Sequence, residues 1–210
     1  MTKLRAQDYA AVGDWPGYFS VMMGKPARET LLAALERFER EHGKGWAGVA
    51  VDLGCGEGRD TRELLTRGWR VVAIDGHPEA LRLLREQLPA GVEGRVETGL
   101  GAFHEVEWPT GVDLLNASFS LPFCPPEHFA AVWERIVSSI RSGGRFAGQF
   151  FGDQDDWASI PGRSHQSREE VERMLAPFEV EELREDSKQE GPEVERPKRW
   201  HVFHVVAKKR

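Results

Sequence analysis

The residues best placed to do chemistry are Asp52, Gly54, Gly56, Gly58 and Asp75. The glycines follow a valine-rich run, Val49-Ala50-Val51-Asp52-Leu53, of the kind buried on both faces of a parallel sheet. After Gly58 the pattern turns helical through Arg62, Leu64 and Leu65. A strand, a glycine turn and a helix N-terminus together form a nucleotide-type pocket, in which glycines permit a tight bend and close backbone approach. The dinucleotide spacing G-x-G-x-x-G would place its third glycine at Arg59, so that fit fails by one residue. Asp52, two residues before the first glycine, would repel a pyrophosphate and suits a ligand bearing an ammonium and a sulfonium.

S-adenosylmethionine (SAM) is such a ligand. The run Val51-Asp52-Leu53-Gly54-Cys55-Gly56-Glu57-Gly58 resembles motif I of the class I SAM-dependent methyltransferases. Asp75, ending a second apolar run at Arg70–Asp75, stands where an acid of a nucleotide fold accepts both ribose hydroxyls, and it resembles motif II of that family. A helix cap suits Asp75 less well, because Gly76 and His77-Pro78 follow it. Residues 112–117, with the loop Ser118-Phe119-Ser120-Leu121-Pro122-Phe123, resemble motif IV, whose strand end faces the transferable methyl. The resemblance implies cofactor contacts from Asp52, Gly54, Cys55, Gly56 and Arg59 at the bend and from Asp75, Gly76 and His77 beyond the second strand. It implies further contacts from Asn116 and Phe119, with S-adenosylhomocysteine as product. The acid that commonly follows the third strand is missing; Gly99-Leu100-Gly101-Ala102-Phe103 stands there, so a backbone contact from Ala102, or packing by Leu100 or Phe103, is expected to meet the adenine instead. The Asn-Pro-Pro-aromatic signature of adenine and glutamine methylases is absent at Asn116-Ala117-Ser118-Phe119. Cys124 follows Phe123 rather than proline, so it reads as a packing residue and not a covalent nucleophile. The motif also resembles the small bacterial methyltransferases of the tellurite-resistance type and their small-molecule relatives.

A chain of 210 residues suits one α/β domain, expected over residues 26–210 and preceded by an aromatic segment at 1–25. In that segment Tyr9, Trp15, Tyr18 and Phe19 lie among Gly13, Pro16, Gly17 and Gly24. Disordered tails are poor in aromatics, so it either staples the terminus to the core or caps the cofactor mouth and lines the acceptor pocket. A net charge of −6 opposes a nucleic-acid substrate, since phosphate binding needs a basic footprint. Two cysteines give no disulfide framework and fit a reducing, cytoplasmic setting, and no apolar run suggests a membrane partner. The sequence carries no signal for an oligomeric state.

The elements that must position these residues follow from periodicity. Helices are expected from Pro26 to Glu41, after Gly58 to about Arg67, from Pro78 to about Leu88, and from Pro126. The last carries Phe129, Val132, Trp133, Ile136, Val137 and Ile140 on one face and ends at Ser142-Gly143-Gly144. A capping box, Ser167 with Glu170, opens one more helix. Further strands are expected at 94–98, 145–151, 178–183 and 200–207. The stretch 152–166 reads as a solvated lid: Asp153, Asp155 and Asp156 lack the glycine and distal glutamate of a calcium loop, so no metal is expected. His165 is either a general base or a surface residue, and the surface is preferred. The charged stretch 186–198 reads as an exposed loop. His201 and His204, three apart on a strand, face opposite ways and are taken as structural.

Strands alternating with helices imply a doubly wound, mostly parallel sheet with helices on both faces. Seven strands, the last inserted antiparallel, are what the resemblance implies. Methyl transfer to a small molecule is the expected function, by in-line displacement and without an evident acid/base pair. The acceptor pocket is expected from Trp15, Tyr18, Phe19, Phe151, Trp157 and His165. A protein or RNA methylase and a SAM-binding module without catalysis are the alternatives.

Overall fold

The computed structural model describes residues 4–191 and 197–210. Strands β1 (Val49–Leu53), β2 (Arg70–Asp75), β3 (Val96–Leu100), β4 (Val112–Ala117), β5 (Ile140–Phe151), β6 (Phe178–Gln189) and β7 (Arg199–Lys209) form one sheet in the order β3-β2-β1-β4-β5-β7-β6. The first five are parallel, and β7 runs antiparallel to both β5 and β6. This is the α/β sheet expected, with the last strand inserted.

Alternation along the strands builds the two layers of core. Val51, Leu115 and Phe146 point to one face, where they meet Trp133 and Ile136 of α6 (Pro126–Ser139). Their neighbours Ala50, Leu114 and Ala147 point to the other face. There they meet Leu31, Leu35 and Phe38 of α3 (Glu29–His42), Leu64 of α4 (Arg59–Thr66) and Leu84 of α5 (Pro78–Glu86). The last helix is α7 (Arg168–Met174), opened by the expected capping box between Ser167 and Glu170.

Several boundaries differ from expectation. The aromatic N-terminal segment is helical, as α1 (Ala6–Val12) and α2 (Trp15–Met22), because Asp8 and Asp14 bond free N–H groups at the two starts. Residues 26–28 are extended and α3 begins at Glu29, while β3 lies two residues later than expected. Ile140 belongs to β5, not to the preceding helix: its backbone is extended and it pairs with Val112. The strand then loops out before Arg145 pairs with Leu114. Gly144 sits in that bulge because a Cβ there would lie 2.8 Å from the Asp113 carbonyl. Residues 186–189 continue β6 against β7 rather than forming a loop, and residues 192–196 of that expected loop lie outside the described ones.

One buried cation ties the end of α3 to the sheet. Arg145, fully buried, donates to Glu41 at 2.6 and 3.1 Å and to Glu181 at 2.8 Å, and its guanidinium lies 4.5 Å from the centre of the Phe38 ring. The Arg145 bonds hold Glu41 down from 4.5 to about 2. A carboxyl depressed in the folded state contributes stability above its ordinary range and loses it as pH falls through its folded value. Arg145→Ala is therefore expected to cost about 3 kcal/mol in urea denaturation at pH 7. It is also expected to reduce the acid-induced loss that falls between pH 4.5 and about 2, with Lys208 retaining part of the hold on Glu41, as read from urea midpoints across that range.

Candidate active site

The bend after β1 is held by the neighbouring strand. Gly54 and Cys55 both donate their N–H to the Ile74 carbonyl, at 2.8 and 2.9 Å. Gly54 has φ +79°, and a Cβ there would lie 2.3 Å from the Ser120 Cβ, so the bend and the loop after β4 pack without room for a side chain. Asp75 closes the arrangement: its Oδ2 accepts from Gly56 N–H and its Oδ1 from His77 N–H, both at 2.9 Å. Burial raises the Asp75 carboxyl, opposed by these backbone bonds.

Asp52, expected to meet the positively charged end of a ligand, stands on β1 two residues before Gly54. Its side chain is buried, with Oδ2 accepting from Thr61 Oγ1 at 2.5 Å and Oδ1 from Asn116 Nδ2 at 2.9 Å. The same Asn116 amide donates to Asp60 Oδ2 at 3.0 Å, and Asp60 Oδ1 accepts from Arg28 N–H at 2.9 Å. Asp52 still lines a recess of about 40 Å³ beside the bend, together with Tyr18, Arg28, Gly54, Cys55, Gly56, Glu57, Arg59 and Asp60. Asn116 reaches neither this recess nor the larger cavity; it orients the two acids. Burial first, then Asp60, pushes Asp52 up to about 7.

Three buried atoms around the recess lack any hydrogen-bond partner: Arg28 Nε, Arg59 Nε and Glu57 Oε1. Two donors and one acceptor, all turned away from water, match a small zwitterion. The methionyl end of SAM is one, so the chemistry of the donor set fits that cofactor.

The recess adjoins a cavity of about 820 Å³ along the carboxyl edge of the sheet. Of the residues expected to contact cofactor, Gly54, Gly56, Asp75, Gly76, His77, Ala102, Phe103 and Phe119 line it; Leu100 is exposed. Of those expected around the acceptor, Trp15, Tyr18, Phe19, Phe151 and Trp157 line it and His165 does not. His165 is not a surface residue either: it is half-buried, 6.0 Å from the Phe151 ring, with Nε2 unpartnered and its pKa lowered by burial. The stretch 152–166 is exposed at Asp153 and Asp156, as a solvated segment would be, but it is anchored at Asp155. Asp155 is buried, pairs with the buried Lys198, and accepts from Trp157 and His201 N–H at 2.9 and 3.0 Å. Phe119 has φ +54°, the only non-glycine with positive φ among the described residues. Gln149 Oε1 accepts its N–H at 2.9 Å, and Arg28 lies 4.4 Å over its ring, so contacts from β5 and the start of α3 hold the strained turn. The sequence reading missed Arg28, Glu57, Phe123, Asp186, Trp200 and His204, all of which line the recess or the cavity. Alternation put His204 opposite His201 but did not say which face was the inner wall.

Residues 50–144 match the family described as "Methyltransferase domain". Sheet order, bend and matched segment resemble those of the class I SAM-dependent methyltransferases. Within that class the chain resembles TehB of Haemophilus influenzae, whose crystal structure superposes with a TM-score of 0.73 at 16% identity, over 93% of this chain and 67% of that one. A Burkholderia thailandensis 1,6-didemethyltoxoflavin-N1-methyltransferase, with 1,6-didemethyltoxoflavin and S-adenosylhomocysteine bound, gives a TM-score of 0.60 at 22% identity, over 100% of this chain and 92% of that one. At these identities the likeness is one of fold. In sequence, a ribosomal RNA small subunit methyltransferase C of Alcanivorax borkumensis is 33% identical over 99 residues, 47% of this chain and 29% of the relative. The matched stretches span 23% to 38% of the length of the curated relatives. Among the described residues no helix is long and apolar enough to cross a membrane, and no group of three or more His, Cys, Asp or Glu is placed to hold a metal.

The Asp52 shift has a consequence for stability. A carboxyl raised in the folded state binds its proton more tightly there than in the unfolded chain, so stability falls as pH climbs from its ordinary 3.8 to about 7. Thermal midpoints of the ligand-free protein should decline across that interval, and Asp52→Asn should flatten most of the decline. An unchanged slope in the variant would place the titration on another group.

Proposed function

We propose that this chain binds SAM across the bend and transfers its methyl group to a small-molecule acceptor held in the aromatic half of the cavity. The observation that carries the reading is the recess, whose unpartnered Arg28, Arg59 and Glu57 atoms complement an amino-acid zwitterion. Arg28 and Arg59 hold the carboxylate, and Glu57 and Asp52 hold the ammonium. Asp75 has accepted two backbone N–H groups, which leaves carboxylate lone pairs for the ribose hydroxyls. Gly76, His77, Ala102 and Phe103 enclose the adenine side, Gly54, Cys55 and Gly56 offer close backbone approach, and Phe119 shapes the methyl side, while Asn116 acts from behind by orienting Asp52 and Asp60. When bound, the cofactor supplies an electrophilic methyl on a sulfonium, open to in-line displacement without a covalent enzyme intermediate. The aromatic walls exclude water from the reacting atoms.

We further infer that residues 1–25 form a cap and 26–210 the catalytic domain. Residues 1–3 of the cap lie outside the described ones, while Gln7, Ala10, Trp15, Tyr18, Phe19 and Met22 line the cavity. A net charge of −6 and a ring-walled cavity favour a small acceptor over RNA. Two free cysteines agree with a cytoplasmic setting.

Titration calorimetry with SAM and S-adenosylhomocysteine tests the binding. Both should bind, and Arg59→Ala and Asp75→Ala should each weaken them at least about tenfold, the scale of one lost charge-assisted bond. A turnover panel of thiols, selenite, tellurite and phenols against ribosomal RNA fragments tests the acceptor class. Absence of SAM binding, or uptake of a nicotinamide dinucleotide at the bend instead, would sink the proposal.

A further inference from the structure

Trp200, Val202 and His204 alternate along β7 and all line the cavity, while His201 turns to the other face and meets Glu185 at 2.9 Å. Beside them on β6, Asp186 and Lys188 line the same wall. The Nε2 atom of His204 lies 3.3 Å from Asp186 Oδ2, and its ring centre lies 6.0 Å from that of Phe119, at the end of β4. Flat rings line the same cavity: Trp15 meets Phe123 edge-on at 4.8 Å, and Trp157 lies 5.6 Å from Phe151. An imidazole held by a carboxylate in a ring-lined cavity is an arrangement for taking a proton. A soft anion would have no use for it.

We propose that His204, oriented by Asp186, is the general base of this site, and that the acceptor is a flat aromatic molecule carrying an O–H or N–H. The inference rests on the methyl-transfer reading above. The carboxylate beside Nε2 favours the tautomer protonated there and leaves Nδ1 basic. As a lone pair of the acceptor oxygen or nitrogen forms the bond to the methyl carbon, its bond to hydrogen breaks toward Nδ1. The electron pair of the severed carbon–sulfur bond stays on sulfur, and the imidazolium returns its proton to solvent.

The charged groups facing His204 are Arg184 and Asp186 on β6, Glu29 at the start of α3, and Arg28 just before it. Its cross-strand partner on β5, Gln149, is uncharged. Burial, the largest influence, lowers the imidazole from its usual 6.5 and so keeps it neutral near pH 7.

The test uses the full chain with SAM, para-substituted phenols from methoxy to nitro, and iodide as an acceptor with no proton to lose. Phenol methylation by the wild type should rise with pH through a limb below the ordinary histidine value. His204→Ala should lose about 100-fold or more toward phenols, the usual worth of a positioned base. It should keep its iodide rate, regain part of the phenol rate with added imidazole, and depend more steeply on the phenol's own acidity. His204→Gln, close in size but unable to take the proton, should behave alike. A readout apart from turnover is the absorbance of 4-nitrophenol with S-adenosylhomocysteine present: bound phenolate should persist to lower pH in the wild type than in either variant. Equal phenol rates in wild type and His204→Gln, or methylation confined to iodide and thiols, overturns the proposal while leaving methyl transfer intact. If calorimetry finds no SAM binding, the underlying reading fails and this one with it. Should both His204 variants fail to fold, Asp186→Asn carries the test, with a partial loss toward phenols and none toward iodide.

Discussion

The carboxyl edge of the sheet depends on two buried acids sharing one amide. Asp52 of β1 and Asp60 of α4 both accept from Asn116 of β4, Thr61 completes Asp52, and the backbone before α3 completes Asp60. Three neutral donor groups, the Asn116 amide among them, cannot offset two carboxylates removed from water, and the cost surfaces as the raised Asp52. Apolar side chains of similar volume would hold these elements together at least as well. What they could not do is present negative charge next to a recess flanked by Arg28 and Arg59. The network therefore makes physical sense as the floor of a site for a cation-bearing ligand.

The parts of the fold that were legible in the sequence are those where hydrophobic pattern and punctuation coincide. β1, β2 and β4 lie at the limits expected, since each apolar run ends in glycine or in a change of period. Errors cluster where pairing overrides pattern. Ile140 continues the helical spacing of α6, yet its partner is Val112. The run Glu185-Asp186-Ser187-Lys188 has a loop's composition, but it pairs with Phe203 to Trp200 as an edge strand, where charge is tolerated and guards against unwanted association.

The site divides the same way. Residues inside the glycine bend and at the end of β2 could be named because the motif fixes their neighbours. Glu57 lies within that motif, but an acid there reads as solvated until its burial is seen. Arg28 reaches the recess from before α3, and His204 meets Asp186 and Phe119 from strands far along the chain. Parity along β7 separated His201 from His204, and only the sheet order turned that parity into an outer face and a cavity wall. Lys198 shows the limit most plainly: composition marks it as surface, whereas it is buried 3.7 Å from the Trp200 ring centre and paired with Asp155.

The N-terminal helices show why the half of the cavity proposed for the acceptor differs in kind from the half proposed for the cofactor. At 7 and 8 residues, α1 and α2 are too short to persist undocked. Their anchors are Arg163, which donates to the Ala10 and Ala11 carbonyls at 2.7 and 3.2 Å, and Glu190, which accepts from Gln7 at 3.0 Å. Arg163 also spans the Phe123 and Trp157 rings, at 4.5 and 4.7 Å from their centres. The groups that dock the helices thus belong to the stretch 152–166, which contributes Trp157 to the ring-lined wall, and to the residues just after β6. The cofactor half rests on β1, β2 and β4, whose pairing needs none of these contacts. Changes at Phe151 or Trp157 therefore leave the strand pairing at the bend untouched, whereas Phe19 of α2, 5.9 Å from the His77 ring centre, joins the two halves.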